Sequence, residues 1–419
     1  MKRIYLSAFA VLFACLSWLP VPVSAADGFQ KSKVQKLLYG NEADRKRGLE
    51  QLKAHDDDEV KAELLVKALD KDARKSTGPP RDSVFHLMNL LGTLESEKAT
   101  KAMLEYVKAS NYKFAIVAAH ELSVKANGKM LDTFFALAET KNFKNVFGFR
   151  KTVVDTVLKI DDPRTVEYAV KLLPLVDGIV RYDLLKFLTQ ATDQDFGNNQ
   201  KYWTTWWNDN KEDFRYAKAP LAISTSSSQI EIEGIKPIKY YGMTIYARRI
   251  VFVVDISSSM FEDGPPAPND RLAAAKKELA KTLRSLPDDT SFGVIAFNAK
   301  IKPWAAGKLV QANEKSREGA AKWVEYLKFG KGTNSNDALA AAFKADGNTE
   351  TIMFLSDGKP SRGVKDPAAI LGNVRRENLF RKMSVFTVGV FTGGETNPVL
   401  VNFMRKLAKQ NAGVYRHIR

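Results

Sequence analysis

The run Ile250–Met260, IVFVVDISSSM, decides the fold. Ile250–Val254 is apolar at every position, with no polar alternation. A strand of that kind is buried on both faces, the habit of a central strand in a parallel sheet. Outward from it, the sequence predicts a helix over Arg271–Ser285, a strand over Ser291–Phe297 and a helix over Lys315–Leu327. A Gly-rich loop and a shorter helix over Asp337–Lys344 follow, then a strand over Thr351–Leu355 and a helix near Pro367–Glu377. A strand over Ser384–Val390, a helix over Pro398–Gln410 and a short strand near Val414–Arg416 end the chain. Such alternation predicts a doubly wound α/β sheet over 247–419.

The opening strand runs straight into Asp255, Ser257 and Ser259. Two distant elements match them in chemistry: Thr333, in the loop before the helix that opens at Asp337, and Asp357, directly after the Thr351–Leu355 strand. Ligands of open α/β sheets bind at the carboxyl ends of strands, and a right-handed topology can bring the three elements together there. Two carboxylates and three hydroxyls are hard oxygen donors, suited to Mg²⁺ or Mn²⁺, with Ca²⁺ as an alternative, and not to zinc or copper. So few carboxylates leave a divalent ion electron-poor and open to a carboxylate from outside. Glu262 and Asp263, just after the serines, and Asn334 and Asp337 are candidates for the rim of this site. Lys331–Gly332–Thr333 lacks the Walker spacing, so a phosphate loop is not supported.

These residues resemble a known family. FVVDISSSM, GTNSNDAL and FLSDGKP look like a von Willebrand factor A (VWA) domain, and Asp255, Ser257, Ser259, Thr333 and Asp357 match its metal-ion-dependent adhesion site. The resemblance covers residues from about 248 to 419. It implies that Ser257, Ser259 and Thr333 coordinate the ion directly or in exchange with water, while Asp255 and Asp357 act through waters. It also implies that an Asp or Glu of a protein partner completes the coordination.

Residues 26–215 carry helical periodicity almost throughout, as in Glu59–Asp70, Phe114–Val124, Lys151–Ile160 and Thr165–Leu173. Helix pairs recurring at about 30 to 45 residues predict a stacked helical-repeat region, because one pair cannot bury its apolar face alone. Segments such as DDPRTVEYAVKLLPLVDG resemble HEAT-type repeats. Asp56–Asp57–Asp58 is read as a charged helix cap. Trp203, Trp206 and Trp207 share one helix face and predict an apolar cap on the last repeat. Residues 216–246 read as a linker, with a short strand at Gln229–Glu233 and a lead-in strand near Tyr240–Tyr246.

Residues 1–25 read as a bacterial-type signal peptide: Lys2 and Arg3, an apolar run to Trp18, then Val23–Ser24–Ala25 before the cut. The run falls short of the ~20 apolar residues of a membrane span. The expectation is an exported protein, periplasmic or secreted, with no transmembrane span in the mature chain; a lipoprotein through Cys15 is the minor alternative.

The 419 residues carry 64 basic and 48 acidic side chains and one cysteine. That cysteine count excludes a disulfide framework and a cysteine-built zinc site. Residues 221–419 hold 30 basic and 19 acidic residues, so most of the excess charge lies on the half with the oxygen-donor motif. The export signal argues against nucleic acid as the partner. Neither GxSxG, HExxH nor clustered histidine is present, and the expectation is a protein without catalytic residues. The predicted function is a binding protein that grips an acidic group on a protein partner through the divalent cation. The alternative is a scaffold or complex-assembly factor with a structural ion, and a metal-assisted hydrolase ranks below both.

Overall fold

The computed structural model describes residues 29–74, 78–224, 226, 228–260, 271–357, 359–390 and 398–418. The segment read as a signal peptide, Cys15 and the rim candidates Glu262 and Asp263 lie outside the described residues. Compactness divides the chain into two units, Met1–Leu137 and Ala138–Arg419.

The first unit is helical. Its helices Lys31–Tyr39, Glu42–Lys53, Asp58–Ala73, Asp82–Thr93, Glu97–Tyr106 and Tyr112–Leu122 pack each on the next but one, and all but Glu42–Lys53 also on the next. This is the stacking expected of repeated helix pairs. Asp57 caps its helix by accepting from the backbone N–H groups of Glu59 and Val60, so the acidic triplet is a helix start. Arg45 and Asp72 pair at 2.6 Å with both side chains buried, and Arg45 also reaches Ser83 Oγ.

The second unit contains the sheet. A hairpin of β1 (Ile238–Tyr240) and β2 (Met243–Ile245) precedes β3 (Arg249–Asp255). Then come β4 (Ser291–Phe297), β5 (Ile301–Pro303), β6 (Val310–Gln311), β7 (Thr351–Ser356), β8 (Ser384–Val390) and β9 (Tyr415–Ile418). The order across the main sheet is β5-β4-β3-β7-β8-β9, with β6 also on β4; β5 and β6 run antiparallel and the other pairings are parallel. The chain steps from β3 to β4 on one side and then returns to β7 on the other. The carboxyl ends of β3 and β7 therefore flank the switch point of the sheet.

The apolar run of β3 feeds two cores at once. Ile250, Phe252 and Val254 join Leu272, Ala275, Leu279 and Leu283 of the helix Arg271–Arg284 and Ala320 and Val324 of Glu314–Glu325. Val251 and Val253 join Leu339 and Phe343 of Ser335–Lys344, Ile370 of Pro367–Arg381 and Phe403 and Leu407 of Pro398–Gln410. This alternation explains why a run without polar residues is a strand: each side chain is buried, on one face or the other. The doubly wound α/β expectation is met, and the helical region that precedes it is present.

Helices of 138–215 are built into the same unit as the sheet. Glu350, buried just before β7, accepts from the backbone N–H of Ile179 at 2.9 Å and of Arg248 at 3.1 Å. Arg249 pairs with Glu350 at 2.8 Å and forks onto Asp177, while Arg150 reaches Asn348 Oδ1 at 3.2 Å. Trp203 and Trp207 are buried, Trp203 donating from Nε1 to the Gly197 carbonyl, so these indoles close a core.

The stretch read as a linker is held as well. Ile230 accepts from both Tyr182 and Tyr246 hydroxyls, whose rings stack at 3.8 Å, and its N–H donates to Tyr182. Those tyrosines take the backbone groups a strand would need, and Gln229–Glu233 forms no strand. Lead-in pairing takes the form of the β1–β2 hairpin, separate from the main sheet.

A Cβ at Gly148, in the helix Phe147–Val157, would lie 1.9 Å from the Phe380 carbonyl oxygen. Backbone cannot yield there without parting the two helices. Gly148→Ala is expected to destabilise the protein by about 2 kcal/mol. Gly372→Ala, in a helix with open space around it, is the control and should be neutral or stabilising. Thermal unfolding of the two variants checks this.

Candidate functional site

β3 ends at Asp255, whose side chain is fully buried. Its Oδ1 accepts from the Ser257 backbone N–H at 2.8 Å, which turns the chain out of the strand. Its Oδ2 accepts from Ser356 Oγ at 2.6 Å. Ser356 is the last residue of β7, so this bond ties the ends of the two strands at the switch point.

The turn then aims the hydroxyls. Ser257 Oγ and Ser259 Oγ lie 3.0 Å apart, and Ser259 Oγ donates to Asp357 Oδ1 at 3.0 Å. Arg271 donates from Nη1 to Asp357 Oδ2 at 2.9 Å and to the Ser259 carbonyl at 3.2 Å. Asp255, Ser257, Ser259 and Asp357 thus form one hydrogen-bonded group drawn from two strand ends.

Thr333 is buried in the neighbouring loop. Its backbone N–H donates to Ser361 Oγ at 2.9 Å, and its carbonyl accepts from the N–H groups of Ser361 and Arg362. Among the described residues it makes no hydrogen bond to the other four. Its loop is nevertheless attached to them. Gly330 N–H donates to the Ile256 carbonyl at 2.9 Å, Gly330 bridges Ser257, and Asn334 N–H reaches the Asn298 carbonyl after β4. A Cβ at Gly330 would stand 2.1 Å from Asn298 Nδ2, so a larger residue there would have to displace that side chain. The rim candidates Asn334 and Asp337 bond to each other at 2.8 Å, and Asn334 caps the helix Ser335–Lys344.

Burial pushes the Asp255 carboxyl up to about 7, and the charge of Asp357 adds to the rise. Burial also raises Asp357, while Arg271 and Ser259 pull it down. A positive charge beside a carboxyl favours its ionised form, and Arg271 already does so for Asp357. Among the described residues no set of three or more His, Cys, Asp or Glu side chains is placed to hold a metal. Beside the two aspartates stand the hydroxyls of Ser257 and Ser259, oxygen atoms of the kind that suits a hard cation.

Three contributors carried no clear sequence signal for this role: Arg271, Ser361 and Asn298. Ser356 was visible only as the neighbour of Asp357.

Comparison with known proteins decides the family of this half. Residues 248–417 match the model of the von Willebrand factor type A domain. The C-terminal region is a VWA domain. Among curated relatives, human inter-alpha-trypsin inhibitor heavy chain H6 is 28% identical over 190 residues, 42% of this chain and 14% of the relative. Pig inter-alpha-trypsin inhibitor heavy chain H1 is 31% identical over 144 residues, 32% of this chain and 15% of the relative. The chain thus spans about a seventh of the length of these two relatives. A von Willebrand factor type A structure from Catenulispora acidiphila is 22% identical with a TM-score of 0.35, covering 42% of this chain and 40% of that one. The VWA domain of the pilus tip protein Mfa5 from Porphyromonas gingivalis is 12% identical with a TM-score of 0.30, covering 40% and 88%.

The raised Asp255 has a measurable consequence. Its folded value of about 7 exceeds the unfolded value of 3.8, so between these values the folded chain holds a proton that the unfolded chain has lost. The contribution is present at low pH and is lost as pH rises through about 7. In chelator, the stability of the wild type relative to Asp255→Asn should fall from pH 5 to pH 7.5, by about 1.4 kcal/mol per pH unit at most. Denaturant unfolding of both proteins across that range checks the slope.

Proposed function

We propose that this chain is an exported, non-enzymatic binding protein whose VWA domain holds a divalent cation and uses it to grip an acidic group on a protein partner. The ion would be Mg²⁺ or Mn²⁺, with Ca²⁺ as the alternative. Ser257, Ser259 and Thr333 would supply hydroxyl oxygens, with Asp255 and Asp357 as the carboxylates. One observation carries the reading. Two buried carboxylates and two serine hydroxyls converge where the sheet reverses direction, in a domain type that commonly holds such an ion.

The surroundings suit a binding role. Tyr326 is 81% exposed and Phe329 is 49% exposed, in the loop that reaches the serines through Gly330. Lys328 and Lys331 alternate with them and give the rim a basic, aromatic character, which favours an acidic protein surface. Export rests on the reading of residues 1–25; among the described residues no helix is long and apolar enough to cross a membrane.

A scaffold or assembly role is favoured by a separate observation. Glu350, Arg249 and Asp177 join the helix Gly178–Thr192 to the foot of the sheet, so a partner held by the VWA domain is held at a set position relative to those helices.

Asp255→Ala is expected to abolish the calorimetric heat of Mn²⁺ binding, and an unchanged titration would refute the assignment of the donors. A pull-down from the exported fraction should lose its partner in EDTA and regain it with Mg²⁺. Retention in EDTA would move the binding surface to the helical region.

A further inference from the structure

Asp357 already has a cation. Arg271 Nη1 stands 2.9 Å from its Oδ2 and 3.2 Å from the carbonyl of Ser259, so one guanidinium nitrogen spans both halves of the donor group. The Asp357 side chain is 0% exposed and that of Arg271 only 15%. Little solvent intervenes to screen the pair, and a guanidinium cannot give up its proton to escape. The remaining oxygen, Oδ1, is held by Ser259. Both oxygens of this carboxylate are therefore engaged by the protein itself.

We propose that Arg271 is the built-in counter-cation of the centre: it competes with the divalent ion for Asp357, and it sets the charge that makes the loaded centre seek a carboxylate. The inference rests on the metal-binding reading above. Among the described residues of the centre, Asp255 and Asp357 carry two negative charges when ionised, which Arg271 reduces to one. A divalent ion then leaves the centre with a single positive charge, and one carboxylate from a partner neutralises it. Without Arg271 the loaded centre would already be neutral and would attract a carboxylate only through the ion's own coordination. The guanidinium thus weakens the hold on the metal and strengthens the hold on the ligand.

A brace would behave differently. If Arg271 only tied the Ser258–Met260 turn to the end of β7, its loss would loosen the donors and weaken metal and ligand together. The two roles therefore predict opposite signs for the metal.

Calorimetric titration of the whole protein with Mn²⁺, and then of the Mn²⁺-saturated protein with acetate, separates them. Arg271→Gln should bind Mn²⁺ about tenfold more tightly than the wild type, the scale on which a neighbouring cation perturbs a carboxylate. It should bind acetate more weakly, and Arg271→Lys should stay close to the wild type in both titrations. Arg271→Met, which retains the aliphatic bulk, stands in should the glutamine variant fail to fold. Tighter Mn²⁺ binding together with weaker acetate binding supports the inference, and Mn²⁺ binding seen only in a neutral variant supports the competition for Asp357. Mn²⁺ affinity unchanged or weakened in a folded neutral variant, while the wild type binds, overturns the inference and leaves the metal reading standing. Acetate affinity that does not fall overturns it also. Absence of Mn²⁺ binding by the wild type and both neutral variants overturns the metal reading and the inference with it.

Discussion

A carboxylate at the end of a fully buried strand is costly, and the arrangement around Asp255 answers that cost. Its oxygens are bonded to the Ser257 N–H and the Ser356 hydroxyl, one on its own turn and one on the adjacent strand. These two bonds join the carboxyl ends of β3 and β7 and direct Ser257 and Ser259 toward Asp357. They do not neutralise the charge, and burial still raises the group to about 7. A centre whose hydrogen bonds are satisfied but whose charge is not suits a hard cation that takes oxygen donors.

The position of that centre depends on the two cores. β3 contributes alternate side chains to both, so neither face can shift without disturbing the other. At the foot of the sheet a second buried carboxylate, Glu350, is met by two backbone N–H groups and by Arg249. Burial pushes it up to about 7 while Arg249 opposes the rise. One acid organises the carboxyl end of β3 and another secures the helix Gly178–Thr192 to the base of the sheet. The intervening strands are apolar and transmit position rather than charge.

The charge of the protein takes its meaning from this arrangement. Of the basic excess, most lies in 221–419, and part of it is committed within the VWA domain: Arg248 to Asp289, Arg284 to Glu318 and Glu325, Arg271 to Asp357. Exposed pairs such as those of Arg284 contribute little to stability. The Arg271 pair is screened from solvent and touches the donor group, so the same residue type has a different consequence there.

Much of the fold was legible along the chain, because burial on two faces and helical periodicity are local patterns. IVFVV read as a central strand, and Asp255, Ser257, Ser259 and Asp357 sat at strand ends where a doubly wound sheet collects ligands. Thr333 was legible as a residue type in a loop, though its backbone is held by Ser361 and Arg362, thirty residues on. Local pattern failed where distant polar groups compete. The alternation of Gln229–Glu233 promised a strand, but the hydroxyls of Tyr182 and Tyr246 claim its backbone. The sheet, its strand ends and the oxygen chemistry of the candidate donors could be read along the chain, since these follow from periodicity and side-chain type. Only the tertiary structure decided that Ser356 ties Asp255 across the switch point, that Arg271 reaches Asp357 and that Glu350 anchors a helix 171 residues earlier. Those bonds join residues with no periodic relation in the chain, and packing alone brings them within reach.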